Sequence, residues 1–320
     1  MPGMTLTLVA ALAIDPTLLT VAVGAGAIGA VSGALGCFAY LRRQGLVGDV
    51  VSHSALLGVV GAFILSWLIT GEASKSLTVL IPGAIVAGIA ALLLSRTISA
   101  RTRLKPDTSL GVMLAIFFGG GLFLLRWVQR RSPSIHGHAG LEDYIFGMAA
   151  AMTRADVAMI AILGALSITV LVLCWKEFQV FTFDPDFARS IGLPGGFIDT
   201  LLLMTLVLGV VIGIQAVGVI LMISLLVTPA SAARQWTSRL GRMVILASIF
   251  GASSGVAGAL VSASEARLPT GPVIVLVVTS IFVVSLLFAP RRGVIARGRA
   301  QRRVARETLL QLGSGGRGPA

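Results

Sequence analysis

Charge is what this sequence lacks most. Asp, Glu, Lys and Arg make up 12% of its 320 residues, about half of the roughly 25% that a soluble globular chain carries. Cysteine is nearly absent. Cys37 and Cys174 fall in or at the end of apolar stretches, where they read as small buried hydrophobes and not as a disulfide or metal site. Lysine is scarce too. Lys75, Lys105 and Lys176 follow Ser, Leu and Trp, so the Gly-Lys-Ser/Thr of a P-loop is missing, and any ATP-driven work falls to another chain. There is no His-Glu-x-x-His run either, which removes that zinc-hydrolase arrangement. Ahead of the first long apolar run, Met4 to Ile14 has no basic flank, so no cleavable signal peptide is expected.

What remains is apolar. Hydrophobic residues account for 56% and mean hydropathy is +0.96, with unbroken runs longer than the roughly 18 residues that mark a membrane helix. Only helices or closed barrels satisfy their backbone inside hydrocarbon, and runs this long do not alternate as barrel strands do. The expected fold is therefore all-α: a polytopic transmembrane helical bundle of about nine spans. We place them near 16–41, 50–70, 77–95, 108–127, 155–175, 197–214, 216–233, 243–263 and 271–289, dividing the run from Phe197 to Ala233 at Gln215. Residues 1–293 read as one transmembrane domain, and 294–320 as a basic, mobile cytoplasmic tail. The glycines suit such a bundle, because small residues let helices approach closely in lipid.

The net charge of +12 first suggests nucleic acid. Its placement argues for topology instead, because the arginines lie between apolar runs and in the tail. One set of connections and the tail hold 19 of the 25 basic residues, against six on the other side. By the positive-inside rule the N-terminus is outside and the C-terminus cytoplasmic, in a multi-pass protein of the bacterial cell membrane.

Three histidines stand out. His53 follows Asp49 by four residues, so on a helix the two share a face about 6 Å apart. A carboxylate and an imidazole so placed suit a divalent Mn, Fe or Zn ion, with backbone, water or a second protomer completing the shell. The plainer alternative is an Asp at a helix start and a His hydrogen-bonded inside the bundle. His136 and His138, in an outside loop, either help to capture metal or are merely solvated. Asp199 and Gln215 read as bundle hydrogen-bonding groups, and Asp107 as a helix cap.

Several segments in order resemble the zinc/manganese/iron (ABC-3 type) ABC importer permeases. They are Leu35 to Ser54 with Gly48-Asp49-Val50-Val51-Ser52-His53; Gly140 to Gly147; Phe183-Asp184-Pro185 through Gly192-Leu193; Gly218 to Arg234; Leu268 to Pro272; and Phe288 to Gly293. One departure is Leu56-Leu57-Gly58, where the family usually has Leu-Pro-Gly. The resemblance implies an ATP-driven importer with a bare divalent ion as cargo and no permanently bound cofactor. Gly140 to Gly147 tilts the cargo toward manganese, with zinc or iron next. It implies that Asp49 and His53 hold the ion transiently. It also implies that Phe183, Asp184, Ala188 and Gly192 belong to the segment that docks on an ABC ATPase subunit. A second permease protomer, like or unlike, and an extracytoplasmic metal-binding solute-binding protein complete the implied assembly; nucleic acid has no part in it. The competing readings are an ABC permease for an iron chelate or cobalamin, a stand-alone secondary transporter, and a scaffold with no cargo.

Overall fold

The computed structural model describes residues 16–71, 76–130, 152–264, 268–290 and 293–295, and every regular element among them is a helix. In chain order these are α1 (Pro16–Leu41), α2 (Val47–Thr70), α3 (Leu77–Arg101), α4 (Pro106–Arg130), α5 (Arg154–Leu173) and α6 (Trp175–Phe183). They continue with α7 (Pro185–Ser190), α8 (Gly195–Val217), α9 (Val219–Trp236), α10 (Leu240–Ser264) and α11 (Thr270–Phe288). Among the described residues, nine helices, all but α6 and α7, are long and apolar enough to cross a membrane. They run from 18 to 26 residues, which at about 1.5 Å per residue spans a hydrocarbon layer of about 30 Å. The helical bundle expected from composition is what forms.

Local signals set the ends. Thr153 caps α5 through a capping box, its Oγ1 accepting from the Asp156 N–H while the Asp156 carboxylate accepts from the Thr153 N–H. Pro106 opens α4, and Asp107 sits in its first turn, where a negative charge complements the helix dipole. Asp107 therefore lies just inside the helix and not at the cap.

Packing follows polarity and size. α8, apolar around its circumference, runs through the middle and touches α1, α2, α3, α5 and α9. On one side α1 packs along α10 and α9; on the other, α2 packs on α3 and α4. α5 and α11 turn apolar side chains outward, with Leu173 75% and Leu276 67% exposed, as lipid-facing residues are. Serine bridges the second group: the hydroxyls of Ser95 on α3 and Ser109 on α4 lie 2.8 Å apart.

The α1–α10 contact depends on missing side chains. A Cβ on Gly29 would stand 2.2 Å from the Gly251 carbonyl oxygen, and one on Gly251 would stand 2.0 Å from that of Gly29. The run Gly251-Ala252-Ser253-Ser254-Gly255 has the letters of a nucleophile elbow, Gly-x-Ser-x-Gly. It lies inside α10 instead, with Ser253 Oγ donating to the Phe250 carbonyl and both glycines packed on α1. It is a packing motif.

The long run after Phe197 breaks at Gly218, three residues beyond the expected Gln215. Gly218 has φ 85° and ψ 166°, a backbone conformation open in practice only to glycine. The break therefore follows backbone freedom and not side-chain polarity. The Gln215 side chain lies outside the described residues. α2 is one continuous helix from Val47 to Thr70, with Leu57 in its interior.

Replacing Gly29 or Gly251 by Val drives a side chain into backbone that cannot retreat, at a cost of about 1–3 kcal/mol or more. Both variants should show a lowered Tm in detergent and reduced accumulation in the membrane. Gly111→Ala, where a Cβ meets nothing within 4 Å, should match the parent chain in the same melts.

Candidate transport site

Asp49 lies in the first turn of α2, and His53 one turn further on. At about 1.5 Å per residue His53 is about 6 Å deeper. Leu46 holds the N-cap position without a side-chain cap bond. Asp49 and His53 are both half-buried, as are Leu57 and Gly61 along the same i, i+4 stripe, whereas most other residues of the first half of α2 are buried. The acid and the imidazole thus share a partly accessible stripe of an otherwise packed helix.

The imidazole is held edge-on by Phe118 of α4, ring centroids 4.6 Å apart. Its Nδ1 is buried and has no hydrogen-bond partner among the described residues; the same is true of Ser52 Oγ. Both residues line a small, mostly apolar cavity of about 30 Å³ that also meets Ile214 and Val219, either side of the α8–α9 break. That is room for about two waters. Among the described residues no group of three or more His, Cys, Asp or Glu side chains comes together. One protomer therefore offers a divalent ion two strong ligands from these side chains, which leaves coordination to be completed by water or a neighbour. His136, His138 and the 140–147 segment lie outside the described residues, as do residues 296–320 of the tail.

A second polar centre was not foreseen. Asp199 on α8, 6% exposed, takes an ion pair from Arg42 after α1 and another, at 2.7 Å, from Arg96 of α3. Arg96 also donates to Thr200 Oγ1 at 2.9 Å, and the Arg42 guanidinium lies 5.3 Å above the Phe181 ring of α6. One carboxylate thus ties together the ends of three helices. The sequence identified Asp199 as a hydrogen-bonding group and the two arginines as topology determinants. Their meeting joins positions more than a hundred residues apart, which no local pattern reveals.

α6 and α7 sit at this same end. α6 is anchored by Phe178 and Phe181, both buried, with Phe178 and Trp175 each edge-on to Phe38 of α1. Asp184 caps α7, its carboxylate accepting from the Phe187 N–H at 2.9 Å. Ala188 is fully buried, and Gly192, at φ 80°, ends the turn. Phe183 at the end of α6, Phe187 in α7 and Ile191 just after it are each about half exposed (53%, 52% and 53%). Of the four expected docking residues, then, Phe183, Asp184 and Gly192 are exposed, and Ala188 is buried beneath them.

Comparison with known proteins was informative over most of the chain. The ABC 3 transport family matches residues 14–289. The zinc transport system membrane protein TroC of Treponema pallidum is 43% identical over 297 residues, covering 93% of this chain and 96% of its own. The manganese transport system membrane protein MntC of Bacillus subtilis is 40% identical over 299 residues, covering 92% and 67%. Among solved structures, PsaBC from Streptococcus pneumoniae in complex with Fab superposes with a TM-score of 0.75 at 30% identity, over 90% of this chain and 97% of that one.

Removing the carboxylate of Asp199 strands two guanidiniums in a largely buried site. Asp199→Asn should destabilise the bundle by on the order of 3 kcal/mol, read as a lower Tm in detergent. Arg189→Gln, which breaks the exposed pair with Asp186, should leave Tm nearly unchanged, because solvated pairs contribute about 0–1 kcal/mol.

Proposed function

The chain is a membrane permease of the ABC 3 transport family, and on that premise we propose that it carries a divalent transition-metal ion inward, driven by ATP hydrolysed on a separate ABC ATPase subunit. Manganese is the first-ranked cargo, then zinc or iron, in keeping with the manganese and zinc transport systems named for its relatives. The observation that carries this reading is the Asp49/His53 pair on the half-buried stripe of α2. The carboxylate supplies charge and the imidazole a borderline nitrogen donor, a set that suits these ions. A transport site must also let go, and two protein ligands hold an ion weakly enough to release it.

In this reading the half-buried stripe Asp49–His53–Leu57 faces a second permease protomer, and the ion passes between the two copies. A solute-binding protein delivers the ion on the outer side. The exposed Phe183, Phe187 and Ile191 seat on the ATPase, for which an apolar ridge on a rigid, capped element is a fitting handle. That places α6–α7 and the basic ends in the cytoplasm, with the N-terminus outside and the C-terminus inside. ATP-driven movement of α6–α7 then reaches α1 through Phe178, Phe181 and Arg42, and so the α1–α2 connection that leads to Asp49.

Asp49→Ala and His53→Ala should abolish metal accumulation in proteoliposomes holding this chain, its ATPase and its binding protein, while co-purification of the subunits persists. Undiminished uptake by either variant refutes the site, and uptake that needs no ATPase refutes the mechanism. Phe187→Asp should lower ATPase co-purification by about tenfold or more, the equivalent of about 1.4 kcal/mol. The metal-binding residues should be unaffected by that change, so uptake and assembly should fall together.

A further inference from the structure

We infer that the cavity at the basic end of the bundle is a headgroup site for an anionic, hydroxyl-bearing phospholipid. The argument does not depend on which ion the chain carries. The cavity measures about 560 Å³ and is predominantly polar. Arg42, Arg43, Arg96 and Arg189 line it, and Asp199 is the one acid among its lining residues. That acid is already engaged by Arg42 and Arg96, so the space retains a surplus of guanidinium. Guanidinium forks match phosphate oxygens in geometry as well as charge.

Unpaired atoms point the same way. Arg42 Nη1, Gln44 Oε1 and Thr182 Oγ1 are each buried without a hydrogen-bond partner among the described residues, and all three residues line this cavity. Orphan buried polar groups are uncommon and call for an occupant. A phosphate oxygen accepts from Arg42, and a headgroup hydroxyl donates to the Gln44 carbonyl. Gly195 and Gly196, the first two residues of α8, also border the space, and that helix has no side-chain cap.

Arg43 supplies a separate argument. Its φ is 56°, the left-handed region. It occupies the position after α1 where the Gln44 N–H returns to the Ala39 carbonyl and its own N–H to the Tyr40 carbonyl. Glycine is the residue that this helix ending ordinarily takes. An arginine there is strained, and its guanidinium lines the cavity. Strain held at a non-glycine residue is a reason to look for function.

A lipid, and not a soluble anion, is favoured by what adjoins the charge. Gln44, Arg96 and Asp199 of the charged cavity also line a second, mostly apolar space of about 310 Å³, walled further by Val47, Leu92 and Leu203. A charged cavity that shares a wall with an apolar space has the form of headgroup and acyl chain together. Basic pockets between membrane helices near the cytoplasmic surface hold anionic lipids for this reason.

The test uses the full chain, delipidated in detergent and titrated with phosphatidylglycerol, phosphatidylcholine or inorganic phosphate, read by native mass spectrometry and Tm. Phosphatidylglycerol should stay bound and raise Tm by several degrees, with neither of the others doing so. Arg43→Gly should weaken phosphatidylglycerol retention about fivefold, the loss expected for one basic residue near an anionic headgroup. Its Tm in phosphatidylcholine should hold or rise, because the strained position is relieved. Arg103→Gln removes the same charge at the same end from an exposed residue outside the cavity, and should keep full retention. Equal losses in both variants mean diffuse surface attraction and overturn the proposal. So does an equal Tm rise with inorganic phosphate alone, which marks a free-anion site. Unchanged lipid retention in Arg43→Gly, together with lost co-purification of the ATPase, assigns the cavity to an acidic side chain of that partner and overturns it as well.

Discussion

Every polar group in this molecule is governed by the absence of water from the layer it crosses. Backbone donors and acceptors must be paired within helices, so most of the described residues are spent on nine spans, and glycine rather than large-scale apolar burial sets how closely they approach. The Gly29–Gly251 contact is the clearest case, because there is no room for a single carbon atom between the two backbones. Charge is then concentrated near the ends of the helices, and the few ionisable groups within the spanning helices acquire significance from their rarity. Asp49, in the first turn of α2, and His53, one turn further in, are noticed for that reason before any comparison is made.

The sequence was most legible where the physics is local. Runs of apolar residues specified the spans almost to their ends, since length and composition decide them. The spacing of Asp49 and His53 put them on one face of α2, and that is a property of any helix. The break between α8 and α9 was expected at a polar residue, but the chain turns at Gly218, where φ is positive. Hydropathy registers the cost of burying Gln215 and is blind to backbone freedom, which decided the matter.

Long-range pairing was illegible for a different reason. Nothing near Asp199 announces Arg42 or Arg96, and both arginines had a sufficient explanation as topology determinants. The strained Arg43 was hidden in the same way. Arg42-Arg43-Gln44-Gly45 places a glycine two residues later, where the chain does not need one, and an arginine where it does. The amphipathic α6–α7 segment was identified through family resemblance, whereas the division of its residues into anchors (Phe178, Phe181, Ala188) and an exposed ridge (Phe183, Phe187, Ile191) emerged only with packing.

The two polar centres lie close in sequence, and their charges are opposed. Arg42 and Arg43 leave α1, and Asp49 opens α2 only a few residues later. Under the proposed function, a divalent cation leaving Asp49 and His53 toward the basic end would meet a rim of guanidiniums, whose field resists its passage where water is scarce. Asp199 offsets part of that field, yet it is one carboxylate against several arginines. An anion seated among them would offset more and lower the barrier at the mouth without touching the ion. The cavity thereby gains a physical reason to lie where it does. A positive end is useful for fixing topology and for docking a partner, but it is a poor exit for a cation. A bound lipid phosphate reconciles those two requirements on the same few residues.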